Sequence, residues 1–226
     1  MPPRRRPPRT TPDQILTQGA DALGLRLGPD HLAAFRLYRE ELARWSARLN
    51  LTALQTAEEV VRAGFLDSLA CLPLVPPGML QVVDVGSGAG FPALPLKLVR
   101  PDLSMTLVEA SRKKATFLQH MVRHLGLVGL RVVQARAEVV ARDPREAKAY
   151  DLGLARAVAA PPAAGSLVRP LLRPGGLFLV QLGADPLPPG DWDRLLAQGF
   201  EVVRELPLPP ALGRPGCRVV ALRRLA

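Results

Sequence analysis

The sequence predicts an α/β fold: a mostly parallel, seven-stranded sheet with an antiparallel last strand, helices on both faces, and a helical extension in front. Three observations carry this. Seven short apolar runs follow Pro76-Pro77-Gly78, namely "LQVVDV", "SMTLVE", "LRVVQA", "YDLGLA", "GLFLVQL", "FEVVREL" and "CRVVALRRL". Helical stretches separate most of them, and the runs are nearly continuous in apolar residues, as strands covered on both faces are. The first run also breaks into glycine at alternate positions, Gly86, Gly88 and Gly90, as a tight strand-to-helix turn requires.

Taken in order, the chain opens with "MPPRRRPPRT", which sets Arg4, Arg5, Arg6 and Arg9 among prolines. Residues 1–10 have nothing from which to build a core and are expected to be a disordered basic arm suited to non-specific phosphate contact. Residues 11–77 read as a helical cap. Thr11-Pro12-Asp13-Gln14 has the form of a capping box with proline in the first turn, starting a helix that fades by Gly24. Phe35, Tyr38, Leu42, Trp45 and Leu49 then fall on one helical stripe, read as core. A second capping box at Thr56–Glu59 opens a helix through "VVRAGFLDSLACL". Residues 78–226 hold the strands and form one compact unit with the cap. The last two runs are joined by a Pro- and Gly-rich link of about ten residues with no helical pattern and are expected to pair antiparallel.

Composition narrows the function classes. At 226 residues, the chain buries roughly 70% of the surface its unfolded form exposes. The two cysteines, Cys71 and Cys217, lie far apart with no zinc or redox spacing. There is no run of eighteen apolar residues and no apolar signal segment at the N-terminus, so a soluble, cytoplasmic protein without membrane contact is expected, and a monomer. The net charge of +10, from 30 Lys and Arg against 20 Asp and Glu, suits an anionic partner such as nucleic acid. It also suits the arginine-rich usage of a GC-rich genome.

In open α/β sheets, ligands sit at the carboxyl ends of the strands where strand order reverses. The first strand ends at Asp84 and the glycine turn, the second at Glu109, the third leads into Ala137-Glu138, and the fourth ends at Arg156. Glu109 lies 23 residues after Gly86, the separation at which a carboxylate on the neighbouring strand reaches both hydroxyls of a ribose. Dinucleotide and S-adenosylmethionine proteins share these features. The dinucleotide turn G-x-G-x-x-G needs its third glycine beneath a pyrophosphate. Here Phe91 stands in that place and Pro92, which has no N–H, follows. A ligand without phosphates, such as S-adenosylmethionine, fits better.

Six segments together resemble the bacterial RsmG (GidB) family of S-adenosylmethionine-dependent methyltransferases: "LNLTAL" (Leu49 to Leu54), "FLDSL" (Phe65 to Leu69), "DVGSGAGFPALPLKL" (Asp84 to Leu98), "LVEASRKKATFL" (Leu107 to Leu118), "RAE" (Arg136 to Glu138) and "YDLGLARAVA" (Tyr150 to Ala159). The resemblance implies a Rossmann-like methyltransferase fold and methyl transfer to N7 of a guanine in the 530 loop of 16S ribosomal RNA, naked or in the 30S subunit. It implies cofactor contacts from the glycine turn (Gly86, Gly88, Phe91), from Glu109, Ala110 and Ser111, from Ala137 and Glu138, and from Arg156. Glu109 would hold the ribose, Ala137 and Glu138 would meet the adenine, and Phe91 would flank the cofactor. Arg156 would hold an anionic group of cofactor or RNA, or pair with Glu138 or Asp84. Two positions depart from the family pattern: Gly64 stands where a histidine is usual, and Gln181-Leu182 precedes Gly183 where Lys-Gly is usual. Both bear on RNA contact rather than on the cofactor.

Guanine N7 carries a free lone pair, so no catalytic acid or base is expected, and no N-P-P-Y type motif is present to hold an amino group. His120 and His124, four apart on a helix, lack the H-E-x-x-H form; no metal is expected, and they read as a solvated face, as does His31. Arg112, Lys113 and Lys114 crowd the first turn of the helix after Glu109, where the helix dipole disfavours cations. They are read as facing RNA phosphates. Two other readings stay open: a ribosome-associated protein that binds S-adenosylmethionine without turnover, and a methyltransferase of another RNA guanine. A nicotinamide oxidoreductase is disfavoured by Phe91 and by the lack of a histidine near the strand ends.

Overall fold

The computed structural model describes residues 10–156 and 160–226. The expectation for Arg4, Arg5, Arg6 and Arg9 lies outside them. Seven strands form one sheet: β1 (Gln81–Val85), β2 (Ser104–Val108), β3 (Leu130–Val133), β4 (Tyr150–Ala155), β5 (Leu172–Leu182), β6 (Phe200–Pro207) and β7 (Arg218–Arg224). Their order is β3-β2-β1-β4-β5-β7-β6. The neighbours from β3 through β5 are parallel, and β7 runs antiparallel to both β5 and β6. Each strand falls on one of the seven apolar runs.

The register matters more than the order. Val85 pairs with Val108 on one side and with Ala155 on the other. The strands β1, β2 and β4 therefore end level, and Gly86, Glu109 and Arg156 leave the sheet side by side. Leu182, the last residue of β5, pairs with Arg218, the first of β7, so the antiparallel strand delivers the segment before it to that same edge.

Helices cover both faces, as two hydrophobic clusters show. The first face carries α1 (Pro12–Ala22), α2 (Pro29–Leu49), α5 (Ala93–Val99), α6 (Arg112–His124) and a helical run at residues 57–69. The second carries α7 (Ala137–Val140), α8 (Pro161–Val168) and α9 (Asp191–Leu196). Ile15, Leu16, Phe35, Tyr38 and Leu42 share a continuous core with Leu94, Phe117 and Leu152, so the cap packs directly on the sheet. α1 has the predicted capping box and Pro12 in its first turn. α2 ends at Asn50 in left-handed conformation, with φ 49°, which asparagine tolerates.

The run after Thr56 departs from expectation. Its capping box is present, with Glu59 as the return partner. The helix is α only at α3 (Ala57–Glu59) and α4 (Asp67–Leu69), and between them Val60–Leu66 is a π-helix. Such widened turns shift the backbone bonding from i−4 to i−5 and are frequent at functional sites. Here the N–H of Asp67 reaches back to the carbonyl of Arg62. The carbonyls of Ala63 and Gly64 accept from Arg156, and that of Gly64 also accepts from the Ser68 hydroxyl.

Cap and glycine turn are tied by Tyr38, whose buried hydroxyl donates to the carbonyl of Ala89. Gly90 makes the fit possible: it has φ +94°, and a Cβ there would lie 2.5 Å from the Tyr38 hydroxyl and from Leu94. Replacing Tyr38 with Phe leaves a buried carbonyl without that donor. We expect a loss of about 1–3 kcal/mol in denaturant unfolding, with native secondary structure retained.

Candidate functional site

The edge where β1, β2 and β4 end level holds two cavities. The first, of about 310 Å³, is lined by Gly86, Glu109, Ala110, Ala137 and Glu138, with Lys114 at its side. Five of the residues predicted to hold a cofactor thus meet in one cleft. Glu109 is 7% exposed. Its carboxylate accepts the N–H of Gly88 at 2.8 Å on one oxygen and that of Ser111 at 2.8 Å on the other. Gly88 and Ser111 therefore reach the cleft through Glu109. A carboxylate has about four acceptor positions, so two remain for a ligand's hydroxyls.

Phe91 and Arg156 stand elsewhere. The Phe91 ring stacks on Tyr38 with centroids 5.6 Å apart and tilts against Phe65 at 6.0 Å. A Cβ on Gly64 would come within 2.8 Å of its Cζ. The Arg156 guanidinium lies 5.3 Å from the Phe91 centroid, within cation–π range, and donates to the carbonyls of Ala63 and Gly64. Its anchoring is therefore to an aromatic face and two backbone oxygens of the π-helix; no ion pair with Glu138 or Asp84 forms among the described residues. Gly64 has no side chain because Phe91 occupies the space.

Asp84, at the end of β1, is fully buried, and neither carboxylate oxygen has a partner among the described residues. Burial pushes its pKa up to about 7, and the like charge of Glu109 adds to the shift. A buried carboxylate without a partner favours a cation beside it. It is an orphaned acid one residue before Val85, which lines the cleft, and the sequence reading gave it no role.

The second cavity, of about 390 Å³, opens at the ends of β4 and β5 and the start of β7; Asp67, Arg156, Gln181, Arg214 and Cys217 line it. Asp67 is raised by burial, against the opposing charges of Arg214 and Arg156. Sequence reasoning treated "FLDSL" as a family marker only, because nothing local shows that residues 67, 181 and 214 converge.

Among the cations after Glu109, Arg112 and Lys113 are exposed, whereas Lys114 lines the cofactor-sized cleft with Arg136. The three therefore do not act as one set. His120 and His124 are not a free solvated face. His120 Nε2 lies 2.8 Å from Glu41 Oε2, its ring is 5.1 Å from both Trp45 and His124, and together they fasten α6 to α2. No group of three metal-ligating side chains is found among the described residues. No described helix is long and apolar enough to cross a membrane.

The strand order and the antiparallel β7 place the protein in a class. A SAM-dependent methyltransferase from Aquifex aeolicus superposes with a TM-score of 0.56 at 16% identity, over 74% of this chain and 93% of that one. The [4+2]-cyclase SpnF superposes at 0.57 and 16% identity, over 88% of this chain and 98% of that one. The fold is that of the S-adenosylmethionine-dependent methyltransferases, and SpnF shows that it also serves other chemistry. Sequence comparison is narrower. The profile of the rRNA small subunit methyltransferase G family matches residues 31–187. The Roseiflexus castenholzii protein named ribosomal RNA small subunit methyltransferase G is 46% identical over 165 residues, covering 73% of this chain and 70% of its own length. The Deinococcus deserti protein of that name is 44% identical over 173 residues, covering 75% and 70%. The chain belongs to the rRNA small subunit methyltransferase G family.

The raised Asp84 pKa has a signed consequence. Between the unfolded value near 3.8 and the folded value of about 7, the folded state holds the extra proton, so stability falls as pH rises through that window. The ligand-free protein is expected to lose about 3 kcal/mol between pH 5 and pH 8 from this group. The variant Asp84→Asn should lack that loss in denaturant unfolding at the two pH values.

Proposed function

We propose that the protein transfers a methyl group from S-adenosylmethionine to N7 of a guanine in the 530 loop of 16S rRNA, acting in the cytoplasm as a monomer on naked RNA or the 30S subunit. The observation that carries this reading is the Glu109 cleft in a chain of this family. An acid pinned by the glycine turn retains two acceptor positions for a ribose, and the small Ala137 side chain leaves room beside Glu138 for a planar base. Asp84 supplies the negative charge that the cofactor's ammonium and sulfonium groups need. The residues present fit the cofactor.

Bound S-adenosylmethionine supplies an activated methyl group on its sulfonium. The protein's own task is placement. Guanine N7 offers its lone pair without losing a proton, so no side chain removes one, and the product base carries the positive charge relinquished by sulfur. Alignment of two bound reactants accounts for about 7–11 kcal/mol in favourable cases. Arg156 and Phe91 hold the glycine turn against the cap while Glu109 accepts the turn's Gly88 N–H, so the cleft is fixed from both sides. Arg112 and Lys113, exposed at the edge, meet RNA phosphates.

The test is incubation with labelled S-adenosylmethionine and either unmethylated 30S subunits or naked 16S rRNA, followed by mapping of the modified base. Label at N7 of a 530-loop guanine is expected. Tight cofactor binding with no label on either RNA would leave a binding protein without turnover. Two variants separate the parts. Glu109→Ala should weaken S-adenosylmethionine binding at least tenfold by calorimetry. Arg112→Ala with Lys113→Ala should leave that affinity unchanged, weaken RNA binding, and flatten the log–log salt dependence by roughly two units. Lys114 is left in place because it lines the cofactor cleft.

A further inference from the structure

Three residues that line the second cavity each carry a buried polar atom with no hydrogen-bond partner among the described residues: Asp67 Oδ1, Gln181 Oε1 and Arg214 Nε. Buried polar groups are nearly always satisfied, and each exception calls for a reason. Three in one cavity of about 390 Å³, within the roughly 300–1,000 Å³ range of small-ligand sites, call for a common one.

Their chemistry and sequence of neighbours are specific. Asp67 is 6% exposed and stands between the other two. On one side, Arg214 Nε approaches Asp67 Oδ2 at 3.3 Å, with its N–H not aimed at the carboxylate. On the other, Gln181 Nε2 donates to the Asp67 carbonyl at 2.6 Å. That bond fixes the amide, because a carbonyl only accepts, and leaves Gln181 Oε1 as an acceptor. Taken as Arg214, Asp67 and Gln181, the free groups are a donor, an acceptor and an acceptor. The Watson–Crick edge of guanine reads acceptor (O6), donor (N1–H), donor (2-amino) in the same order. Uracil (acceptor, donor, acceptor), adenine (donor, acceptor) and cytosine (donor, acceptor, acceptor) each leave a like pair opposed.

We propose that Arg214, Asp67 and Gln181 form the pocket that reads the target guanine by its Watson–Crick edge, with Arg214 on O6, Asp67 on N1–H and Gln181 on the 2-amino group. This rests on the function proposed above and assigns its base specificity. Holding the base by that edge leaves the N7 lone pair free, as methylation there requires. It also places the base beside Arg156, which lines the same cavity and braces the glycine turn. Arg156 thus connects the base pocket, which it lines, to the glycine turn, whose Gly86 lines the cofactor cleft.

The experiment compares 16S rRNA carrying guanine at the target position with the same RNA carrying inosine, which keeps N7, O6 and N1–H but lacks the 2-amino group. With the unaltered protein, kcat/KM for inosine should fall about 10- to 100-fold, because Gln181 Oε1 is then buried unpaired. In Gln181→Met the guanine-to-inosine ratio should collapse to within about twofold, with S-adenosylmethionine affinity by calorimetry unchanged. Asp67→Asn should lower kcat/KM at least tenfold on both RNAs and keep the cofactor affinity. Equal rates on guanine and inosine with the unaltered protein would overturn the pocket while leaving the methyltransferase reading intact. So would an undiminished ratio in Gln181→Met. Absence of any transfer to guanine RNA would overturn both.

Discussion

The face of Phe91 against the bare Cα of Gly64 is the contact on which the rest of the site depends. Phe91 closes the glycine turn, and Gly64 lies in the π-helical stretch of the cap. With less than 3 Å to spare for a Cβ, the two can meet only if residue 64 is glycine or the ring moves. The widened helical turn supplies the two carbonyls to which Arg156 donates, and Arg156 in turn covers the ring. Cap, glycine turn and β4 are thereby locked at one point. Three residues past Gly64 the same helix carries Asp67 into the base pocket, so the lock sets the cofactor cleft and the pocket at once.

The charges at this edge follow from that packing. Asp84 and Asp67 are both buried and both raised by burial, yet their surroundings differ. Asp84 has no partner among the described residues and faces the like charge of Glu109, which suits a cationic ligand. Asp67 has Arg214 and Arg156 nearby, which keep its carboxyl closer to the ionised form that accepts from a base. In the proposed reading the two buried acids take up opposite parts, Asp84 balancing the cofactor's charge and Asp67 reading the substrate.

Much of this was legible in the sequence. The seven apolar runs gave all the strands because the central ones, β1, β2 and β4, are buried on both faces, and the exposed edge strand β6 still showed as an apolar, β-branched run. Glu109 and the Ala137-Glu138 pair could be found because strand ends converge by topology alone. The π-helix could not, since "VVRAGFLDSL" has an ordinary helical period and the extra residue shows only in tertiary contact with Arg156. The resemblance to a known family made Gly64 and Gln181 look like losses. In the structure, Gly64 makes room for Phe91 and Gln181 fills a hydrogen-bonding role. Lys114 was read with its charged neighbours, but helical geometry turns it from the exposed side into the cleft. The histidines of α6 were read as solvated because Glu41, their partner, lies on another helix.

The account stands on the two cavities being halves of one active site. A crystal structure of the protein with S-adenosylmethionine tests this most directly. The account predicts the ribose hydroxyls on Glu109, the ammonium toward Asp84, and the sulfonium methyl directed past Phe91 into the pocket of Asp67, Gln181 and Arg214. A cofactor bound with its methyl turned away from that pocket, or seated outside the Glu109 cleft, would contradict it.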